Sequence, residues 1–148
     1  MRYEVCTDAS VDKNNNNAGM AFIITTENNF IVQKGFKAKD LVSNKAEMIA
    51  VGLACAWCRK NLNLGKEDQV EICVDNELVV KQLVGENTFL RKDEDKRIQV
   101  SIKEFNELNN LTSVIIRKAY AHSFSTYSNA NKVADKLSKC YLKLADMV

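Results

Sequence analysis

The hydrophobic period of the chain changes at Ser43. Upstream, residues 3–8 alternate, with Tyr3, Val5 and Thr7 on one side and Glu4, Cys6 and Asp8 on the other. Period-two alternation in aromatic and β-branched types predicts a strand closed by Asp8. Two further strands are expected over 20–26 and 30–36, joined at Glu27-Asn28-Asn29, with the asparagine run 14–17 as the turn before them. Downstream, Ala46, Ile49, Ala50, Leu53 and Trp57 recur at three and four residues. That is the stripe of an amphipathic helix running to about Lys60, with Ser43 or Asn44 as its N-cap. The opening third is therefore an antiparallel meander followed by a helix that must bury its stripe.

Val70, Ile72 and Val74 form a short apolar strand that stops at Asp75, and a helix follows at once through Leu78, Val79, Gln82 and Leu83. A mixed-charge helix is expected over 93–108, a fifth strand over 114–118, and a last helix over 132–145 with Val133, Leu137, Tyr141 and Leu144 on one face. The order is βββαβααβα. Strand, helix, strand, helix in the second half implies parallel pairing through right-handed crossovers. The fold class is α/β, a five-stranded mixed sheet with helices on its faces. At 148 residues the length prior gives a single domain, 1–148.

Composition narrows the setting. The chain is 46% hydrophobic and 27% charged, the balance of a globular domain rather than a disordered one. No run reaches the ~18 consecutive apolar residues of a bilayer helix, and the N-terminus reads as a strand rather than a signal peptide. Five cysteines, an odd number, argue for reduced thiols, and the expected location is cytoplasmic. A formal charge of +2 leaves the partner open.

Among 19 acidic residues, placement matters more than number. Asp8 closes the first strand, Asp75 stands at the tip of the fourth, Glu47 lies in the first turns of the long helix, and Asp135 is near the start of the last helix. Ligands of α/β sheets gather beyond the carboxyl ends of strands. If the first and fourth strands are parallel neighbours, Asp8 and Asp75 emerge at one edge, where helix starts supply Glu47 and Asp135. Carboxylates so clustered raise one another's pKa unless cations lie between them, and hard oxygen donors suit Mg²⁺ or Mn²⁺. Singly, each acid has a plain structural explanation. Asp8 could be a turn residue, Asp75 a helix N-cap, and Glu47 and Asp135 solvated first-turn acids.

Together they carry a likeness. Thr7-Asp8-Ala9-Ser10 is similar to the Thr-Asp-Gly-Ser of the type 1 ribonucleases H, and Ser43-Asn44-Lys45-Ala46-Glu47 to that family's entry to its glutamate helix. Val74-Asp75-Asn76-Glu77-Leu78-Val79-Val80-Lys81-Gln82-Leu83 resembles its Asp-Ser-x-x-Val-Val-x-Gln-Leu. Asn131-Lys132-Val133-Ala134-Asp135-Lys136-Leu137 resembles its Asn-x-x-Ala-Asp-x-Leu. Four motifs in order cover the chain from Tyr3 to about Lys139. Two departures stand out. Ala9 replaces the family glycine, and residues 11–17 replace its Gly-Asn-Pro-Gly turn. Residues 90–97 mix charge signs, so the basic handle that some members insert between helices is not evident.

The resemblance implies a ribonuclease H-like fold and an endonuclease that hydrolyses the RNA strand of RNA–DNA hybrids. It implies two divalent ions, Mg²⁺ or Mn²⁺, held by Asp8, Glu47, Asp75 and Asp135. Two metals about 3.5–4 Å apart can activate the attacking water and stabilise the leaving 3′ oxygen. Substrate choice would rest on the RNA 2′-hydroxyls, with Ser10, Asn44 and Asn76 as binding residues. His122, the sole histidine, would assist proton transfer or product release. No membrane and no protein partner is implied, and a monomer is expected. The alternative is a binding module for hybrid or RNA on the same fold that has lost catalysis. Four retained carboxylates favour the enzyme, since a pure binder gains nothing from negative charge beside phosphates.

Other features have plainer explanations. Cys55-Ala56-Trp57-Cys58 lies mid-helix without a second ligand pair, which suits packing better than zinc or redox chemistry. Lys34, Lys37, Lys39 and Lys45 are either a phosphate track or a solvated basic face.

Overall fold

The structure is a computed structural model that describes residues 1–27, 29–86 and 89–118 together with Ser138. Three strands come first: β1 (Arg2–Val11), β2 (Ala18–Thr26) and β3 (Asn29–Ala38). Then follow α1 (Ser43–Asn61), β4 (Gln69–Val74), α2 (Glu77–Leu83), a single 3-10 turn at Phe89–Lys92, α3 (Lys96–Leu111) and β5 (Ser113–Lys118). The strands form one mixed sheet in the order β3-β2-β1-β4-β5. β1 pairs antiparallel with β2 and parallel with β4, and β4 pairs parallel with β5. The helix expected over 132–145, with Asp135, and the His122 loop lie outside the described residues, apart from Ser138, which is helical.

One sequence expectation needs correction at the residue that matters most. Asp8 does not end β1, which continues to Val11. The parallel pairing with β4 stops at Thr7 opposite Val74, but the antiparallel pairing continues through Asp8 opposite Ala21 to Val11 opposite Ala18. A polar residue survives inside the strand because one neighbouring strand ends before it. The hairpin then turns on asparagine. Asp12 and Asn15 side chains accept from the backbone amides of Asn14 and Asn17, and Asn16 takes the left-handed conformation with φ 58. Asparagine tolerates that region better than most residues, so the turn needs no glycine.

The main core lies between the sheet and α1. Val5, Met20, Phe22, Ile24, Ile72 and Val74 meet Ala46, Ala50, Val51 and Ala54 of the helix, and Leu90, Ile98 and Leu108 extend it toward α3. Side chains of a strand alternate between faces. Ser10 therefore points away from the Val5 face, and its Oγ lies 3.0 Å from Ser138 Oγ, which places a helical residue against the second face. The described cysteines Cys6, Cys55, Cys58 and Cys73 are free and buried.

α1 and α3 approach closely at Gly52. A Cβ there would stand 2.4 Å from Ser101 Oγ and 2.6 Å from Ser101 Cα, and a backbone atom cannot swing aside. Gly52→Ala is therefore expected to destabilise the fold by about 1–3 kcal/mol despite alanine's better helix propensity. Urea titration with a matched m-value would check this; an equal or higher midpoint would contradict the packing assigned to that contact.

The N-terminal end of α1 is held from outside. The Arg97 guanidinium donates to the carbonyls of Lys39 and Asp40, just before the helix, and Lys45 pairs with Asp93 at 3.0 Å. Neither Ser43 nor Asn44 caps α1, as the sequence suggested. The cap position is Val42, which makes no side-chain cap hydrogen bond, and the Asn44 amide is engaged elsewhere. α3 likewise starts at Lys96 rather than Asp93, because Asp95 accepts from Arg97 N as the cap and Asp93 accepts from Asp95 N. Short acidic side chains in that segment bond to local backbone and delay the helix.

Candidate active site

The register of the parallel strands sets the geometry. Thr7 opposite Val74 is the last pair of β1 with β4, so Asp8 and Asp75 are the residues that next follow this pair, side by side at the same sheet end. Asp8 is half-buried and Asp75 exposed. Asp75 is not the N-cap of α2. Asn76 is, accepting from Val79 N, so the Asp75 carboxylate is not spent on capping.

Glu47 enters from the second turn of α1 and is only 6% exposed. Burial pushes its carboxyl up to about 9, and the charges of Asp8 and Asp75 and a hydrogen bond with Asp8 push the same way, while the Ala9 backbone N–H pulls it down. At neutral pH Glu47 thus keeps its proton beside Asp8. Its Oε2 is buried with no hydrogen-bond partner among the described residues. An orphaned buried oxygen of this kind costs about 1–3 kcal/mol unless something satisfies it.

The remaining expected residues divide. Asn44 and Asn76 meet each other, Asn76 Nδ2 donating to Asn44 Oδ1 at 2.9 Å. Ser10 is turned toward Ser138. Asp135 and His122 lie outside the described residues. Among the described residues, no three His, Cys, Asp or Glu side chains are gathered tightly enough to hold a metal ion. The donors nevertheless fit a hard divalent cation. All are carboxylate oxygens, two of them depress the ionisation of the third, and that third presents an oxygen unsatisfied among the described residues.

Ala9 is the contributor that sequence reading undervalued. It registers there only as a departure from glycine, yet its part is a backbone N–H donated to Glu47, which any residue except proline supplies. Lys45, one of the four lysines of the basic set, is committed to Asp93, whereas Lys34, Lys37 and Lys39 are exposed. Cys55 and Cys58 are packed within α1, and burial raises both thiols, Cys58 up to about 12. Neither has thiolate character to offer a metal or an oxidant.

The sequence model of one family, RNase H, matches residues 1–142. No curated protein matches the sequence. Among solved structures, RNase H1 of the halophilic archaeon Halobacterium salinarum aligns with a TM-score of 0.74 at 19% identity, covering 98% of this chain and 100% of that one. The N-terminal RNase H domain of Rv2228c from Mycobacterium tuberculosis, solved as a fusion with maltose-binding protein, aligns at 0.76 and 15% identity, covering 99% and 96%. LC11-RNase H1 in complex with an RNA/DNA hybrid aligns at 0.70 and 19% identity, covering 97% and 98%. At these identities the likeness establishes the fold.

Proposed function

The chain belongs to the RNase H family, and from that premise we propose that it is an endoribonuclease hydrolysing the RNA strand of RNA–DNA hybrids. The observation that carries the reading is a buried Glu47 that feels the charges of both Asp8 and Asp75 and has an oxygen with no hydrogen-bond partner among the described residues. Clustered acid without a cation would repel a phosphodiester; with cations it becomes a place for one. The hybrid bound by LC11-RNase H1, a structure of the same fold, supports the substrate class.

In this reading Asp8, Glu47, Asp75 and Asp135 hold two Mg²⁺ or Mn²⁺ ions. Such ions supply a water of lowered pKa and countercharge for the leaving 3′ oxygen. The protein's own part is to keep the carboxylates fixed. The parallel register places Asp8 beside Asp75, the Ala9 N–H orients Glu47, and Arg97 and Lys45 anchor the end of α1. Glu47 must give up its proton on metal binding, so loading should release protons to the buffer. Asn44 and Asn76 stand beside the carboxylates, where RNA 2′-hydroxyls can be read.

Labelled hybrid, duplex RNA and duplex DNA, each with Mg²⁺, Mn²⁺ or chelator, test the proposal directly. Cleavage of the hybrid's RNA strand alone, and only with metal, is expected. Binding of hybrid without cleavage under either metal would favour a non-catalytic binding module instead.

His122 has a separate, smaller part. Proton handling contributes ~10²–10⁴-fold, so His122→Ala is expected to be slowed by that order yet remain metal-dependent. The loss should fall on kcat more than KM, measured at fixed salt because phosphate contacts make affinity salt-dependent. A wild-type kcat would leave His122 without a part in the reaction.

A further inference from the structure

Asn76 and Asn44 both qualify by position as substrate contacts, but their hydrogen bonds give them different parts. The amide of Val79, third residue of α2, points at the Asn76 side chain at 3.1 Å. A backbone N–H can only donate, so the atom it meets must be the amide oxygen. That places the Asn76 NH₂ at the other end of the planar group, where it lies 2.9 Å from the Asn44 side chain. A donor there requires an acceptor, so Asn44 turns its oxygen inward and its own NH₂ outward. The usual ambiguity of an amide's orientation is removed, step by step, by the polarity of a helix end.

We infer that Asn76 is a positioning residue that fixes the Asn44 amide so that Asn44 offers the substrate only hydrogen-bond donors, aimed at a 2′-oxygen. The inference rests on the hybrid reading given above. Asn44 is half-buried, lies three residues before Glu47 on the same helix, and makes no other side-chain hydrogen bond among the described residues. Residues three apart share a helix face, so its NH₂ stands on the side of α1 that carries Glu47. Asn76 directly follows Asp75, so the amide pair also links the two elements that carry those carboxylates. RNA has the 2′-oxygen acceptor and DNA lacks it.

The test uses hybrids carrying one 2′-deoxy substitution, walked along the RNA strand around the scissile bond. In the wild-type protein one position should lose about 3- to 10-fold in kcat/KM, the size of one neutral hydrogen bond. In Asn44→Ala that penalty should vanish. Asn76→Ser is the informative variant, because serine still caps α2 but has no NH₂ to hold Asn44. Its melting temperature should stay close to wild type while its 2′-deoxy penalty shrinks toward that of Asn44→Ala. An undiminished penalty in Asn76→Ser overturns the inference and leaves hybrid cleavage standing. The same ratio read as Kd by fluorescence anisotropy decides the matter even for a protein that binds hybrid without cutting it. If wild-type protein neither cuts nor binds hybrid, the functional reading and this inference both fall.

Discussion

Asp75→Asn should abolish hybrid cleavage and leave the fold intact. Asparagine keeps the size and polarity of the side chain but removes the negative charge that a divalent cation requires. A ligand worth ~4 kcal/mol to the transition state corresponds to a loss of about a thousandfold in kcat. Structural collateral should be small for two reasons. Asp75 is exposed, and the cap of α2 is formed by its neighbour Asn76. Melting temperature within a few degrees of wild type, together with turnover at background, is the expected pair of results. Cleavage at the wild-type rate would remove Asp75 from the metal site and with it the mechanism proposed here.

Glu47→Gln should also abolish cleavage, yet make the metal-free protein more stable at alkaline pH. Burial and the charges of Asp8 and Asp75 hold the Glu47 carboxyl near 9 in the folded chain, against an ordinary value of 4.5. Between those values the folded state binds a proton that the unfolded state has lost. Stability from this group is therefore complete below the ordinary carboxyl value and is lost as pH rises through about 9. A shift of that size corresponds to several kcal/mol. Calorimetric melting in chelator between about pH 5 and pH 9 should show a falling melting temperature for wild type and a flatter course for Glu47→Gln. Mg²⁺ should offset the alkaline loss in wild type, because a cation stabilises the ionised form in place of the proton, and should do less for the variant. Parallel curves for the two proteins, with or without Mg²⁺, would show that Glu47 is not the buried acid described above.

The two cases differ in how much of them the sequence reveals. Asp75 is visible as the polar stop of an apolar strand, and its place at a strand tip follows from periodicity alone. The strand also predicts that a helix begins there, but not which residue caps it. Asp75 and Asn76 are both good caps by type, and the structure chooses Asn76 through the Val79 amide. Glu47 is an acid one turn into a helix, which in most proteins would be solvated. Its burial depends on how α1 packs against the sheet, and the partners that hold α1 there, Asp93 on Lys45, Arg97 on the carbonyls before the helix and Ser101 against Gly52, lie far along the chain.

Local pattern was sufficient for the order of the described elements and the mixed sheet, because alternation and helical stripes are imposed by the faces that each element must bury. Local pattern misjudged Asp8 as the end of its strand. Whether a strand ends depends on its neighbours, and β2 continues beside β1 after β4 has stopped. It also missed the Ala9 N–H, since backbone donors leave no trace in residue type, and it gave Asn44 a capping role that the Asn76 contact displaces. The sequence by itself thus determined which groups are present and on which elements they ride. Their protonation and orientation were decided only by tertiary structure, because desolvation, like-charge proximity and amide polarity arise between groups that the chain separates by dozens of residues.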